Sequence, residues 1–355
     1  MTDIVIIGGG IAGISAAAFL APHAPVTVLE AETSLGYHAS GRSAAAFLEH
    51  YGNATIRALN RASLPCLHSH GVLKQKGMLL LGKADEAERF AANVADFDLD
   101  QIAVSEAHEM VPILNPATCA LAATRPNIYD LDTDLLLQAF RKQALAHGAQ
   151  IVTGARVDRI SQDGRWHIRA GDRDWSADTL VNAAGAWADP VAELAGVQPL
   201  GIQPFRRSMA RIALADGIDA SRWPFMDGVD DAWYAKPDAG ALLVSPADED
   251  PVPPQDAWAD DMILAEGLAR YEEMVTEPVT RMIANWAGLR SFAPDRALVV
   301  GRDARRPGFV WLAGQGGYGF QTCCAAAQLL AAQLCGTDHD LDAATVAALS
   351  PARFG

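Results

Sequence analysis

The chain has 355 residues, with 28 Lys and Arg against 43 Asp and Glu, a formal net charge of −15. At about 150 residues per domain this predicts roughly two domains with a sizeable core. The acidic balance disfavours nucleic acid and anionic lipid as partners, because each phosphate contact draws on basic side chains. Met1, Thr2 and Asp3 lack the basic n-region of a secretory signal, which predicts a cytoplasmic protein. Residues 4–29 and 309–337 carry no Asp, Glu, Lys or Arg and are long enough to span a bilayer. Their interrupting glycines, with prolines in the first and glutamines in the second, argue against a membrane helix, and no transmembrane segment is expected.

In chain order, residues 4–7 form a β-branched run that ends in Gly8-Gly9-Gly10-Ile11-Ala12-Gly13. Small apolar residues over 14–20 predict a helix, and 26–29 predict a second strand ending in Glu30. Gly8, Gly10 and Gly13 satisfy the Gly-x-Gly-x-x-Gly fingerprint of a dinucleotide-binding βαβ unit. The first permits the tight turn, the second lets pyrophosphate approach the backbone, and the third permits close helix–sheet packing. Glu30 stands where a carboxylate accepts hydrogen bonds from ribose hydroxyls.

Residues 131–147 read as a helix with Asp132 or Thr133 as N-cap and Gly148 as its stop. A strand follows at 151–153, then an antiparallel meander over 157–181, broken at Asp163-Gly164 and Gly171-Asp172. It leads to Asn182-Ala183-Ala184-Gly185-Ala186-Trp187, a small-residue turn that admits a ligand close to the backbone. Strands are expected at 209–214, 233–235 and 241–244, a surface loop at 248–254 and a helix over 260–273. The βα pattern returns with strands at 298–300 and 309–313 and an apolar helix over 322–334. A nucleotide domain interrupted by a substrate domain accounts for this order, with 1–72, 145–200 and 286–355 in the first and 73–144 and 201–285 in the second. Cys66, Cys119, Cys323, Cys324 and Cys335 form an odd set without a Cys-x-x-Cys pair. Reduced thiols are expected, with neither a disulfide framework nor a thiolate metal site.

The fingerprint is shared by FAD and NAD, and the choice falls to two further Gly-rich loops, residues 36–45 and 314–322. Far apart in sequence, they suit a long cofactor lying extended across the domain, which predicts a flavoprotein. On residues 36–45, 180–189, 206–208, 234–240, 286–292 and 315–322 the chain resembles the FAD-dependent D-amino-acid oxidase, glycine oxidase and sarcosine oxidase family. Within it, the chain most resembles the bacterial D-arginine dehydrogenases, over essentially its whole length.

That resemblance implies an α/β fold of two domains, a Rossmann-like FAD-binding domain with an inserted substrate domain built on a mixed or antiparallel sheet. It implies FAD contacts from Gly8, Gly10, Ile11, Ala12, Gly13, Glu30 and Ala31, and from the loop residues Gly41, Arg42, Ser43 and Ala44. Further contacts come from Val157, Ala184, Gly185, Trp187 and Gly288, and from Gly316, Gly317, Tyr318, Gly319, Gln321 and Thr322. No Cys lies in 314–322, so the flavin is expected to be non-covalent. The implied reaction is oxidative deamination: hydride passes from Cα to flavin N5, and the imino acid hydrolyses to a 2-oxo acid and ammonia.

Arg207 and Arg290 match the family's carboxylate-binding arginines, whose planar forks suit that group. Tyr51 and Tyr234 match tyrosines of the substrate site, and Gly317 a carbonyl that accepts from the amine. His38 and His50 are read as structural. The chain departs from the D-arginine dehydrogenase pattern at Gly77, where the relatives carry an acid, at Ala46 (histidine) and at Leu48 (threonine). With Met78 these predict a pocket favouring apolar or small side chains over D-arginine. The expected partners are a small amino-acid substrate and an electron acceptor, either oxygen or a quinone, the latter allowing peripheral membrane association. Competing readings are a flavoenzyme acting on secondary amines such as sarcosine or on 2-hydroxy acids, an FAD-binding interaction or sensor protein with little catalysis, and an NAD-dependent dehydrogenase.

Overall fold

The computed structural model describes residues 3–355; Met1 and Thr2, with which the expected nucleotide segment and the signal-peptide argument begin, lie outside them. One part of it is built on a six-stranded sheet in the order Val299–Arg302, Phe309–Ala313, Thr179–Asn182, Ile4–Ile7, Val26–Leu29, Gln150–Val152. All neighbours run parallel except the edge strand Val299–Arg302. Ile4–Ile7 and Thr179–Asn182 are buried at every position, so they read as continuous apolar runs rather than alternating ones. Helices Ile11–Leu20, Ala54–Ser69, Thr133–Ala146 and Gly319–Cys335 share one core with one face. The meander Arg159–Asp163, Arg165–Ala170, Arg173–Ala177 and the helix Ala188–Leu194 cover the other.

Local chemistry sets the helix ends. The Asp132 side chain accepts from Leu135 N, and Asp260 from the Met262 and Ile263 amides ahead of Asp261–Glu273. The apolar helix expected from 322 begins at Gly319, because its first residues belong to a glycine-rich turn that reads as loop.

The second sheet runs Asp250–Pro251, Gln203–Ala213, Ala241–Ser245, Tyr234–Asp238, Phe225–Gly228, Met78–Gly82, Leu121–Arg125, Asp100–Ile102. Met282–Phe292 pairs antiparallel with Gln203–Ala213 along nearly its whole length. The expected boundary at 286 therefore falls inside a strand of this second sheet. The boundary at 145 likewise falls inside the helix Thr133–Ala146, which packs in the nucleotide-side core. The 248–254 stretch is only partly a surface loop: Asp248 is buried and accepts from Ser208 N (2.6 Å), Ser208 Oγ (2.8 Å) and Arg206 Nε (3.3 Å).

The cysteines depart from expectation. Helices Ala54–Ser69 and Gly319–Cys335 pack side by side and bring Cys66 and Cys324 into a disulfide, with Cα atoms 6.3 Å apart. The partners are 258 residues apart, so no spacing motif announces them. Cys119, Cys323 and Cys335 stay free. Among the described residues no helix is long and apolar enough to cross a membrane.

Candidate active site

A cavity of about 410 Å³ runs from the first βαβ turn, past the 36–46 loop, to the face of the large sheet. At its first end the backbone packs too tightly for side chains: a β-carbon on Gly13 would strike Gly8 O, and one on Gly8 would strike Ala183 O. The helix Ile11–Leu20 opens there with no side-chain cap and no acidic residue in its first turn. Ser40 Oγ takes the Ile11 amide, and the dipole with the remaining first-turn amides is left for an anion. Glu30 holds the turn, Oε2 accepting from Gly9 N (2.6 Å) and Oε1 from Glu32 N (2.8 Å), and it also lines the cavity. At the other end, the helix Gly319–Cys335 likewise lacks a side-chain cap and first-turn acids. Gln321 Nε2 and Ser291 Oγ are buried there without hydrogen-bond partners. Two open helix N-termini and stranded polar atoms along one elongated cavity fit a dinucleotide with an anionic middle and a polar ring edge.

The 36–46 loop forms the middle of the wall. Arg42 donates to Ala257 O (2.6 Å) and Ala287 O (3.0 Å) and pairs with Asp256, whose carboxyl it holds below the usual range. Ser40 Oγ accepts from Ile11 N (3.0 Å), joining the loop to the first helix. Ala45 adopts φ 61°, a left-handed conformation uncommon outside glycine. It is held by Lys236, whose buried Nζ donates to Ala44 O (2.8 Å) and pairs with Asp130.

At the sheet end, Arg207, Tyr234, Arg290 and Gly317 line the cavity together. Arg290 Nη1 donates to Tyr51 Oη (3.1 Å), and its guanidinium lies flat on Gly317, 3.1 Å from where a β-carbon would stand. Desolvation disfavours the charge on Arg290, but Tyr51, Tyr234 and Asp231 outweigh it and the net shift is upward. Burial raises the Tyr51 hydroxyl pKa, keeping it a neutral donor. The Arg207 side chain makes no hydrogen bond among the described residues; its nearest acid is Glu249 at 4.0 Å, and its Nε is buried and unpaired. Its neighbour Arg206 is saturated by Asp248 and Asp250. Tyr234 Oη is also buried without a partner. Each such group costs about 1–3 kcal/mol when left unsatisfied, which a ligand can repay.

Of the residues read from the sequence, Gly8, Gly10, Ile11, Ala12, Glu30, Ala31, Arg42, Ser43, Ala44, Val157, Ala184, Gly185, Trp187, Gly288, Gly316, Gly319 and Gln321 line the cavity. Gly13, Gly41, Tyr318 and Thr322 do not, and act behind it. Gly41 N donates to Gly36 O (2.6 Å), and Thr322 Oγ1 donates to Tyr318 O (2.8 Å). Tyr51 also stands behind, its ring 5.2 Å from that of Tyr318. Ala46 is on the wall, but Leu48 and Met78 are buried in the apolar layer behind it, and Gly77 faces Arg125 O and Pro126. The expected apolar pocket thus loses three of its four residues, because the strand Met78–Gly82 sits beyond Phe225–Gly228, away from the arginines. His38, read as structural, lines the cavity with Nε2 3.1 Å from Glu32 Oε1. Ser40, Met209, Lys236 and Ser291 were missed; Ser40, Lys236 and Ser291 lie inside the 36–45, 234–240 and 286–292 motifs, whereas Met209 carries no local signal.

Residues 3–333 match the family described as DAO, FAD dependent oxidoreductase. The chain belongs to that family. Its cofactor is FAD, which the cavity's chemistry fits. This FAD dependent oxidoreductase is 26% identical over 184 residues to the hydrogen cyanide synthase subunit HcnC of Pseudomonas aeruginosa, covering 49% of this chain and 42% of that one. It spans about half the length of the curated relatives it matches. Among solved structures, the L-proline dehydrogenase from P. horikoshii superposes with a TM-score of 0.84 at 21% identity, over 99% of this chain and 97% of that one. The glycine oxidase from Geobacillus kaustophilus superposes with a TM-score of 0.83 at 20% identity, over 99% and 98%. The mixed α/β fold of this oxidoreductase is that of these enzymes.

Proposed function

We propose that this oxidoreductase oxidises the Cα–N bond of an amino acid, of D configuration, to an imino acid that water hydrolyses to a 2-oxo acid and ammonia. The observation that carries the reading is the pair Arg207 and Arg290, two guanidinium groups on one cavity wall with no protein carboxylate closer than 4.0 Å to Arg207. A ligand carboxylate completes that arrangement. Each charge-assisted contact contributes about 1.5–3 kcal/mol, enough for two of them to orient a small molecule. Tyr51 keeps Arg290 in place, Tyr234 offers a hydroxyl to the same ligand, and the Gly317 carbonyl is the acceptor proposed for the amine. When bound, FAD supplies the hydride acceptor. The protein's own work is to hold Cα in one orientation and to exclude water from the reacting face.

The solved neighbours support an amine-bearing substrate, since their names specify glycine and L-proline. The D configuration rests on the resemblance to D-amino-acid oxidases and D-arginine dehydrogenases. The test is anaerobic mixing of the purified protein with D- and L-amino acids, glycine, sarcosine and 2-hydroxy acids while following flavin absorbance, repeated in air to measure peroxide. Bleaching by D-amino acids is the expected result. Bleaching by 2-hydroxy acids alone overturns the reading, and peroxide formation separates oxygen from a quinone as acceptor.

A further inference from the structure

The arginine clamp has a resident rival for its ligand. Glu249 is the acid nearest Arg207, with Oε1 4.0 Å from Nη2, and the same oxygen accepts from Arg296 Nη2 at 2.6 Å. One carboxylate oxygen therefore stands between two guanidinium groups, one in the clamp and one outside it. The other acid of this end, Asp227 on Phe225–Gly228, is 3% exposed and does not line the cavity. Burial, reinforced by Asp231, pushes its pKa well up, so it gives Arg207 no comparable counter-charge.

The backbone on both sides of Glu249 is fixed, while its side chain is not. Asp248 is buried and bonded to Ser208 and Arg206, and Asp250 pairs in register with Arg206, whose Nη2 also donates to its carboxylate (2.8 Å). Between them the Glu249 side chain is 35% exposed, which leaves it room to swing between its two partners. Arg296 is anchored apart from the clamp. Its amide donates to Ala293 O (2.8 Å), and its guanidinium lies over the Phe292 ring at 3.8 Å and the Phe205 ring at 5.8 Å. Arg207 by contrast gives no side-chain donor to the protein, and its Nε is buried. An uncompensated buried guanidinium is costly, so without substrate it attracts the carboxylate beside it. Burial raises the Tyr318 hydroxyl to about 12, and the charges reaching that hydroxyl include Arg296, Arg290 and Glu249. The ion pair and the clamp therefore share one electrostatic neighbourhood.

We propose that Glu249 is a positioning residue of the clamp, which competes with the substrate carboxylate for Arg207, and that Arg296 holds it aside when substrate binds. The proposal rests on the carboxylate reading above. Two carboxylates on one edge of a guanidinium repel each other, so substrate binding and close contact between Glu249 and Arg207 exclude one another. Arg296 lowers the cost of the exchange, because the displaced carboxylate keeps a charge-assisted hydrogen bond. The pair thus sets the affinity for a carboxylate without touching the reacting atoms.

The test measures KM and kcat for the substrate that bleaches the flavin fastest, and the dissociation constant of acetate from flavin difference absorbance at constant ionic strength. Glu249→Gln should lower KM and the acetate constant at least threefold, with kcat within twofold of wild type. Arg296→Met should raise both constants at least threefold, because Glu249 is released onto Arg207. The double variant separates competition from simple charge. Under competition it follows Glu249→Gln, since no rival is left to restrain. A pair acting only through its net charge returns the double variant to the wild-type values, which overturns the proposal. Constants unmoved in Glu249→Gln, or raised in both single variants as loss of a structural contact would raise them, also overturn it. Flavin content and circular dichroism check folding; if Arg296→Met loses flavin, Glu249→Gln alone decides by the direction of its shift. If no amino acid bleaches the flavin, the oxidation reading fails, and the acetate constants still test Glu249 by the same directions. Acetate that does not bind the wild type overturns the clamp and the role of Glu249 together.

Discussion

Arg290 and Gly317 act as one device, because the guanidinium rests on the backbone where any side chain would stand. Gly317→Ala pushes the fork off Tyr51, and the expected outcome is at least a tenfold rise in KM for a carboxylate substrate with flavin content retained, read by steady-state kinetics. Asp227 offers a second test through pH. Its folded pKa is raised above the ordinary 3.8, so between those values the native state holds more protons than the unfolded one. Stability from this group is full below the unfolded value and falls as pH rises through the window. Asp227→Asn removes that slope: urea unfolding of wild type and variant, compared from about pH 5 to about pH 8, should show the variant losing less stability.

At the level of elements, the strand Tyr234–Asp238 reaches across to the cofactor loop through Lys236, which holds the carbonyl of Ala44 and pairs with Asp130 on Tyr129–Leu131. Lys236→Met leaves those oxygens unpaired and releases the strained Ala45. With Asp130 about a third exposed, the expected loss is about 1–3 kcal/mol, seen in thermal unfolding together with weaker FAD retention. The parallel sheet, its helices and the glycine turns were legible because each carries its own local chemistry: a β-branched run, a cap, a Gly-x-Gly-x-x-Gly spacing. Arg207 and Arg290 were legible only through a resemblance, since an arginine on a strand has no spacing that marks it. Asp227 was not legible at all. Its burial comes from Tyr234 and Leu80 on neighbouring strands, one of them far upstream, and no local pattern encodes that pairing. The strand Met282–Phe292 hid a domain boundary for the same reason: it is exposed at its start and mostly buried at its end, so composition does not break where the expected boundary fell.

For the whole molecule, the net charge of −15 describes the outer surface, while the cavity end is locally cationic. The Cys66–Cys324 disulfide ties two core helices. Unfolding without reductant and titrating thiols should find three of the five cysteines reactive, and Cys66→Ala should cost about 2–5 kcal/mol in urea unfolding. Met282–Phe292 has a wider consequence. It pairs with Gln203–Ala213 on one side, while its Ser291 carbonyl accepts from Gly316 N in the cofactor loop (2.8 Å) and its Arg290 forms half of the clamp. Neither half can come apart without withdrawing a rung from the other. Calorimetry on the flavin-loaded protein should therefore record a single melting transition, in which loss of the cofactor and loss of the second sheet are one thermodynamic event.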